Sequence, residues 1–224
     1  MTSYVIAPPP ETVLPVEGGG QFPVRRVYCV GRNYADHARE MGSDPDREPP
    51  FFFSKPRDAA CWGETIPYPP ATQNLHHEVE LVIALGGGGA DLQPETAGSL
   101  IYACAVGVDL TRRDLQADAK KVGRPWDMAK GFDCSGPVGA LKPCRALGQG
   151  TISLSVNGET RQSGDVSQMI WSPAEVVAHL SALVKLEAGD LIFTGTPAGV
   201  GPVARGDRVE ARIDGLMPLS FMLT

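Results

Sequence analysis

Short apolar runs separated by Gly, Pro or polar residues repeat along this chain, and several of them alternate apolar and polar positions. Runs of this length and period are typical of β-strands. They predict strands at residues 27–30, 51–54, 75–86, 99–110, 138–141, 152–156, 191–193, 208–213 and 216–223. The Asn157-Gly158 pair, which follows one of these runs, is typical of a tight hairpin turn. The pattern therefore indicates more strand than helix.

Three positions instead carry signals for the start of a helix. Asn33 and Thr111 each precede an acidic residue by three positions, which is the spacing of a capping box. Ser172 and Pro173 suit the cap and first turn of a helix, and Glu175 completes the same spacing. The predicted helices occupy residues 34–41, 112–121 and 173–186. The predicted loops that flank them are 42–50 and 123–131.

Length and composition favour one large globular domain with an extension. The chain has 224 residues, which is the size of one such domain. Residues 1–24 contain Pro and Gly clusters and are predicted to be a peripheral N-terminal arm. Residues 25–224 are then a single catalytic domain.

Charge and cysteine content narrow the partners and the compartment. The net charge is -6, and Lys and Arg form no block, so nucleic-acid binding is not expected and an anionic substrate needs local cations. The five cysteines are odd in number and form no Cys-x-x-Cys pair, which favours reduced thiols in the cytoplasm. No signal peptide and no long apolar span is visible, so neither secretion nor membrane insertion is expected.

The predicted strand at 75–86 carries two acids, Glu78 and Glu80, one residue apart. Alternate residues of a strand share a face, so both carboxylates point one way while Val79 and Leu81 point the other. Two adjacent carboxylates in a buried strand need a compensating cation, and a metal ion is the obvious candidate. The alternative is that the strand begins in solvent and both glutamates are hydrated, which an isolated Glu-x-Glu motif fits more often.

A third acid, Asp109, lies at the far end of the strand predicted at 99–110. Three carboxylates would favour Mg²⁺, Mn²⁺ or Ca²⁺ over zinc or copper. The alternative for Asp109 is a local cap that accepts from nearby backbone N–H groups. His76 and His77 are possible ligands too, but packing or supporting roles suit them better, because an imidazole-rich site favours other metals.

Further residues have the chemistry of a hydrolytic site. His37 and Glu40 have the spacing of a base dyad that takes a proton from water, although a solvated surface pair is the commoner alternative. Lys130 would stabilise an enolate, although an exposed lysine is the commoner alternative. Hydroxyl and N–H groups in the loop 194–201 suit an anionic oxygen. The chain has neither a P-loop nor a Gly-x-Ser-x-Gly elbow.

Taken together, these segments resemble the fumarylacetoacetate hydrolase family in its short, acylpyruvase-related form. The matching stretches are 28–37, 53–56, 77–81, 109–116, 123–130 and 194–201. The resemblance implies an α+β, β-rich fold of the mixed β-roll or β-sandwich type with a few short helices. It also implies a homodimer, and Mg²⁺ or Mn²⁺ held by Glu78, Glu80 and Asp109.

The resemblance also implies roles for other residues. His37 and Glu40 would activate water from a lid helix, and Lys130 would stabilise the oxyanion or enolate. Six residues would contact a small 2-oxo acid substrate. They are Arg32, Tyr34, Arg113, Gln116, Gly195 and Thr196.

The function expected from this resemblance is hydrolysis of the carbon–carbon bond of a 2,4-dioxo acid. Fumarylpyruvate, cleaved to fumarate and pyruvate in the gentisate route of aromatic breakdown, is the first expectation. Oxaloacetate decarboxylation, or isomerisation or hydration of related dioxo acids, is the alternative on the same metal site. A non-enzymatic metal-binding role is a third hypothesis, which the set of His37, Glu40 and Lys130 disfavours.

Overall fold

A computed structural model of the protein describes residues 3–40, 49–144 and 147–224, without the side chains of Ala38 and Glu40. Most of the loop predicted at 42–50 lies outside these described residues, as does the last residue of the helix predicted at 34–41. Strands outnumber helices among the described residues, as the sequence pattern predicts.

The strands are named in chain order. They are β1 (Val13–Pro15), β2 (Gln21–Pro23), β3 (Arg26–Gly31), β4 (Phe51–Lys55), β5 (Ala60–Cys61), β6 (Thr65–Ile66), β7 (Leu75–His77), β8 (Val79–Leu85), β9 (Ile101–Val108), β10 (Thr111–Arg112), β11 (Gly136–Pro137), β12 (Lys142–Pro143), β13 (Thr151–Val156), β14 (Glu159–Asp165), β15 (Asp190–Phe193), β16 (Gly201–Val203), β17 (Arg208–Ile213) and β18 (Leu219–Leu223).

The helices are short. They are α1 (Ala35–Glu40), α2 (Pro94–Ser99), α3 (Arg113–Lys121), α4 (Asp127–Lys130) and α5 (Pro173–Ser181), with single 3-10 turns at Arg57–Ala59 and Val166–Gln168. The predicted capping box of α5 is confirmed: the Ser172 N–H donates to the Glu175 carboxylate at 2.9 Å, and the Glu175 N–H donates to the Ser172 hydroxyl at 3.4 Å. No helix in the described part of the chain is both long and apolar enough to cross a membrane.

Two large sheets packed face to face form the body of the protein. One has the strand order β12-β9-β8-β15-β3-β4, and the other has the order β14-β13-β17-β18-β6. Buried side chains such as Leu81, Val106, Leu154 and Phe221 form one cluster between them. The burial of this apolar surface is the main favourable term in folding. The predicted strand-rich α+β class is confirmed.

Strand β8 runs through the centre of the larger sheet with alternating faces. Val79, Leu81 and Ile83 belong to the cluster between the two sheets, whereas Val82 and Ala84 belong to a second cluster on the opposite face. This confirms the alternation predicted from the sequence. The single strand predicted there is divided in two, because β7 pairs with β10 and β16, whereas β8 pairs with β9 and β15.

The N-terminal segment contains a hairpin that a peripheral arm does not account for. Strands β1 and β2 pair with each other, and Leu14 is fully buried in the second cluster. The Leu141 N–H also donates to the Pro15 carbonyl at 2.9 Å. Leu14 and Phe22 of this hairpin therefore contribute to the core, whereas residues 3–10 are exposed. The division into an arm and a catalytic domain stays a prediction.

Two predicted helix caps are wrong because their side chains make tertiary contacts instead. The buried amide of Asn33 donates to the carbonyls of Trp171 and Thr194 at 2.9 and 2.7 Å and accepts from the Trp171 N–H at 2.7 Å. Thr111 belongs to β10, and its hydroxyl accepts from the ammonium of Lys130 at 2.7 Å. Both residues thus link the ends of strands to neighbouring segments.

Three other boundaries differ from the prediction. The loop predicted at 123–131 contains the helical turn α4. The strand predicted at 138–141 is reduced to isolated bridges between β11 and β12. Helix α5 ends at Ser181, where the hydroxyl donates to the Ala178 carbonyl at 2.7 Å, instead of continuing to residue 186. Side-chain bonds of this kind compete with helix propagation.

Candidate active site

Three acidic side chains converge where β8 begins and β9 ends. Glu78 precedes β8, Glu80 lies within it and Asp109 follows β9, whose end is tied to β8 by the Asp109 N–H donating to the Glu78 carbonyl at 2.8 Å. One oxygen from each carboxylate lies within 4.8 Å of the others. The three residues are only 6, 2 and 0 % exposed. We call them the acidic triad, and their burial makes the hydrated-glutamate alternative wrong.

Lys130, the last residue of α4, bridges two members of the triad. Its ammonium donates to Oε2 of Glu78 and Oδ2 of Asp109, both at 2.8 Å. Burial lowers the pKa of Lys130, but the charges of Asp109 and Glu78 outweigh this and raise the pKa. The surface-lysine alternative is therefore wrong, and so is the local cap proposed for Asp109, whose carboxylate faces lysines.

Lys55, the last residue of β4, is a second buried lysine that sequence reasoning missed. Its ammonium lies 2.9 Å from Oδ1 of Asp109 and 3.1 Å from the Ser135 hydroxyl, and it donates to the Lys130 carbonyl. It therefore fixes the segment that carries Lys130 against the triad. The available signal was a lysine at the end of the aromatic strand Phe51-Phe52-Phe53-Ser54-Lys55, where the chain enters the core.

The glutamates of the triad have opposite electrostatic environments. Burial alone would raise the pKa of Glu78, but the charges of Lys130 and Arg113 hold that pKa well below its usual range. Burial raises the pKa of Glu80 well above its usual value, and the charges of Asp109 and Glu78 raise it further. The Gly195 N–H, which donates to Glu80 at 2.6 Å, opposes this only in part. Glu80 is thus the carboxylate that most lacks a cation.

The triad fits a hard divalent cation. Oδ1 of Asp109 is buried and has no hydrogen-bond partner among the described residues, since Lys55 meets only the distance for an ion pair. The triad brings one oxygen from each carboxylate within 4.8 Å of the others, which is close enough for a single ion to bind all three. Oxygen-only donors of this kind select Mg²⁺ or Mn²⁺. Neither His76 nor His77 belongs to the cluster, in agreement with the supporting roles expected for them.

Helix α1 places His37 at the site. His37 is 7 % exposed and lines the same pocket as the triad. Glu40 ends α1, but its side chain lies outside the described residues, so the His37–Glu40 dyad stays a prediction. Arg32, at the end of β3, has a positive φ of 63°, a conformation that is strained for a residue with a Cβ. That turn directs the chain from the sheet into α1.

A pocket of about 440 Å³, its open mouth included, lies over the triad. The predicted site residues that line it are His37, Lys130, Arg32, Arg113, Gln116, Thr196, Glu78, Glu80 and Asp109. Tyr34 and Gly195 are not among the lining residues. The hydroxyl of Tyr34 is buried without a described partner, and the Gly195 N–H is engaged by Glu80. The substrate contacts predicted for these two residues are therefore not supported by the pocket.

A hydrogen-bond chain that no sequence motif predicts supports Thr196. Gln162 of β14 donates to the Thr196 hydroxyl at 2.8 Å and the Pro197 carbonyl at 2.9 Å. Its carbonyl oxygen lies 2.9 Å from Nδ1 of His77 and accepts from the Val79 N–H at 3.0 Å. Gln162 therefore joins the five-stranded sheet to β8, the strand that carries Glu80. Only the tertiary structure reveals this link.

Comparison with known proteins agrees with this architecture. Residues 26–223 match the fumarylacetoacetate (FAA) hydrolase C-terminal family. The chain belongs to the fumarylacetoacetate hydrolase family. The family resemblance read from the sequence motifs is thereby confirmed, and the strand-rich fold is that of this family's solved members.

Three relatives illustrate the range within the family. The crystal structure of a Pseudomonas aeruginosa fumarylpyruvate hydrolase with Mn²⁺ and pyruvate is 50 % identical, with a TM-score of 0.97 and 99 % coverage of both chains. A Ralstonia fumarylpyruvate hydrolase is 43 % identical over 81 % of this chain and 97 % of its own. A mitochondrial oxaloacetate tautomerase of Homo sapiens is 42 % identical over 88 % of this chain and 90 % of its own.

Proposed function

We propose that the protein is a metal-dependent hydrolase that cleaves fumarylpyruvate to fumarate and pyruvate. The observation that carries the proposal is the buried acidic triad beneath a pocket lined by cations, in a chain 50 % identical over its length to a fumarylpyruvate hydrolase that holds Mn²⁺ and pyruvate. Pyruvate is a product of the proposed reaction, and it carries the 2-oxo acid group expected to bind nearest the triad.

Glu78, Glu80 and Asp109 would hold the Mg²⁺ or Mn²⁺ ion. When bound, this ion would supply a Lewis acid that disperses the negative charge of a 2-oxo acid as it becomes an enolate. Lys55 would keep the Asp109 carboxylate in place, because its ammonium lies 2.9 Å from Oδ1. Arg113 would hold Glu78, since the guanidinium lies 2.5 Å from Oε1.

The remaining pocket residues would orient the substrate and move protons. Arg113, Gln116 and Thr196 would bind the carboxylate and 2-oxo group, because they present donors around the triad. His37 would take a proton from the water that attacks the 4-carbonyl. The bond between the methylene carbon and that carbonyl then breaks, its electron pair stays on the pyruvate fragment as an enolate, and the enolate takes up a proton. The positive charge of the Lys130 ammonium, whose three N–H groups are engaged by Glu78, Asp109 and Thr111, would stabilise the enolate electrostatically.

A second candidate function is conversion of oxaloacetate, by tautomerisation or decarboxylation. The observation that favours it is 42 % identity to a human oxaloacetate tautomerase over 90 % of that protein. Such reactions pass through the same kind of enolate and would use Lys130 and the triad in the same way. They need no attacking water, so His37 would be less important.

Other parts of the proposal rest on family resemblance and composition. We propose a homodimer, which light scattering in solution would test. The odd number of free cysteines favours a reducing compartment such as the cytoplasm. A place in gentisate breakdown follows only if fumarylpyruvate is the preferred substrate.

One comparison of variants tests the proposed function. Turnover of fumarylpyruvate and oxaloacetate is measured with Mg²⁺ or Mn²⁺ for the wild type, Glu80→Ala and His37→Ala. Glu80→Ala is expected to abolish both activities, because it removes a triad carboxylate. His37→Ala is expected to reduce hydrolysis by about a hundredfold or more, with a smaller effect on oxaloacetate.

The variant His179→Ala is the matched control for His37→Ala, because His179 is a half-buried histidine of α5 that packs against Trp171 and does not line the pocket. Full turnover after metal removal would overturn the metal-dependent scheme. Equal loss of the two activities in His37→Ala would contradict the assignment of His37 to water activation.

A further inference from the structure

One face of helix α3 borders the pocket with three polar side chains. Arg113, Gln116 and Lys120 all line it, at spacings of three and four residues that place them on the same side of a helix. Arg113 and Gln116 lie beside the triad, and Arg113 donates to Glu78. Lys120 lies seven residues further, about 10 Å along the helix axis. The backbone of Lys120 therefore lies well beyond the part of α3 that meets the triad.

Some cationic side chains in this pocket form ion pairs with carboxylates, whereas others form none among the described residues. Lys130 and Arg113 both have carboxylate partners in the triad. Arg32 and Lys120 take part in no ion pair formed among the described residues, and both line the same pocket. Burial lowers the pKa of Lys120, and the charges of Arg113 and Arg32 lower it further. An anion bound between these cations would relieve their repulsion.

Two aromatic rings of the pocket lie between Lys120 and Arg32. The ammonium of Lys120 lies 5.1 Å from the ring centre of Trp126, and the guanidinium of Arg32 lies 5.9 Å from that of Phe51. The rings of Phe51 and Trp126 meet edge to face at 5.2 Å. The apolar ring surface beside Lys120 suits a planar, unsaturated acyl chain that ends in a carboxylate.

We propose that Lys120 binds the carboxylate at the far end of the acyl group, and so selects acylpyruvates whose acyl chain ends in a carboxylate over those whose acyl chain is neutral. This inference rests on the proposed acylpyruvate hydrolysis and extends it to the acyl end of the substrate. Lys120 acts on specificity and takes no part in bond cleavage. A lysine that only covers the Trp126 ring would show no such selectivity.

The test compares fumarylpyruvate, which has the distal carboxylate, with acetylpyruvate, which has a methyl group there. The ratio of their kcat/KM values is expected to fall about tenfold to a hundredfold in Lys120→Met, the range for loss of one hydrogen bond to a charged group. Lys120→Arg is expected to retain most of the ratio. Lys121→Met is the matched control, because Lys121 is exposed and pairs with Asp118 at 3.2 Å.

A binding measurement separates failure of this inference from failure of the proposed function. Calorimetry with fumarate does not depend on turnover, and its affinity is expected to fall in Lys120→Met but not in Lys121→Met. If the wild type cleaves neither acylpyruvate while fumarate binding still depends on Lys120, the proposed hydrolysis is overturned and the subsite stands. An unchanged kcat/KM ratio in Lys120→Met overturns the subsite.

Discussion

Glu80 is a residue that affects both the stability of the fold and the binding of a metal ion. It is buried beside two other carboxylates, and the Gly195 N–H is its described hydrogen-bond donor. A carboxylate in such surroundings favours its protonated form until a cation arrives. Because the pKa of Glu80 is raised, the metal-free site binds a proton more readily than a free glutamate does, and metal affinity should rise with pH.

The first prediction concerns stability against pH. Because the pKa of Glu80 in the folded protein is raised above its unfolded value, its contribution to stability is present at low pH and lost as pH rises through the folded-state pKa. The free energy of unfolding of the metal-free protein, measured relative to that of Glu80→Gln, should therefore fall as pH rises above the usual range of a glutamate. Mn²⁺, which binds the ionised form, should remove much of this decline. Urea unfolding across this range, with and without Mn²⁺, measures both.

Glu80→Gln is the control for this prediction, because glutamine cannot lose a proton here. Its metal-free stability should depend less on pH than that of the wild type, and Mn²⁺ should restore little. Identical slopes for the metal-free wild type and Glu80→Gln would contradict the role given to Glu80.

Part of the site could be predicted from residue types alone. The sequence motifs named Glu78, Glu80, Asp109 and Lys130, and the structure brings all four into contact range. Their functional roles stay predictions until tested. Lys55 could not be assigned a role from the sequence, because its partner Asp109 is brought close only by the tertiary packing of β4 beside the triad.

At the scale of elements, periodicity predicted strands well and caps poorly. The structure confirms the alternation predicted for β8 and β13 and the hairpin at Asn157-Gly158. Both signals come from residues that are close together in the sequence. Asn33 and Thr111 have the residue types of helix caps, yet their side chains bond distant segments. A local motif cannot reveal which of two possible partners a polar side chain takes.

The contact of strand β14 with the pocket loop gives the second prediction. Gln162→Met keeps the side chain's length but removes its bonds to Thr196, Val79 and His77, so stability should fall by about 2 kcal/mol. Thr196 would also lose its orientation, so the KM for fumarylpyruvate should rise by about tenfold, equivalent to 1.4 kcal/mol, with less change in kcat. Steady-state kinetics and urea unfolding measure these effects.

Gln21→Met makes the same substitution at an exposed position of β2, where the side chain forms no hydrogen bond among the described residues, and should leave both KM and stability close to those of the wild type. A stability loss in Gln162→Met with an unchanged KM would mean that Gln162 supports the fold without positioning Thr196.

For the molecule as a whole, the core has one cluster on each face of the larger sheet. The second cluster extends into the N-terminal segment. Composition suggested a peripheral arm, because Pro and Gly are frequent there. The hairpin nevertheless contributes Leu14 and Phe22 to the second cluster. Composition indicates only the average flexibility of a segment. It does not show that a single side chain, such as that of Leu14, is buried in the core.

The third prediction tests whether that segment belongs to the folded domain. Leu14→Ala should lower the free energy of unfolding by about 3 kcal/mol, because it leaves a cavity in the second cluster. Val5→Ala, at a fully exposed position of the same segment, should change it by less than about 0.5 kcal/mol. Thermal or urea unfolding of both variants decides the question. Equal stability of the two would restore the peripheral-arm interpretation.

The left-handed backbone at Arg32 bears on how this enzyme would respond to selection. A glycine there would relax the chain at φ 63° and favour the folded state, yet it would remove a cation from the pocket. Selection for heat resistance alone would then favour loss of this arginine, whereas selection for turnover would retain it. A library of variants at position 32 that is screened only for stability would therefore select variants with lower turnover.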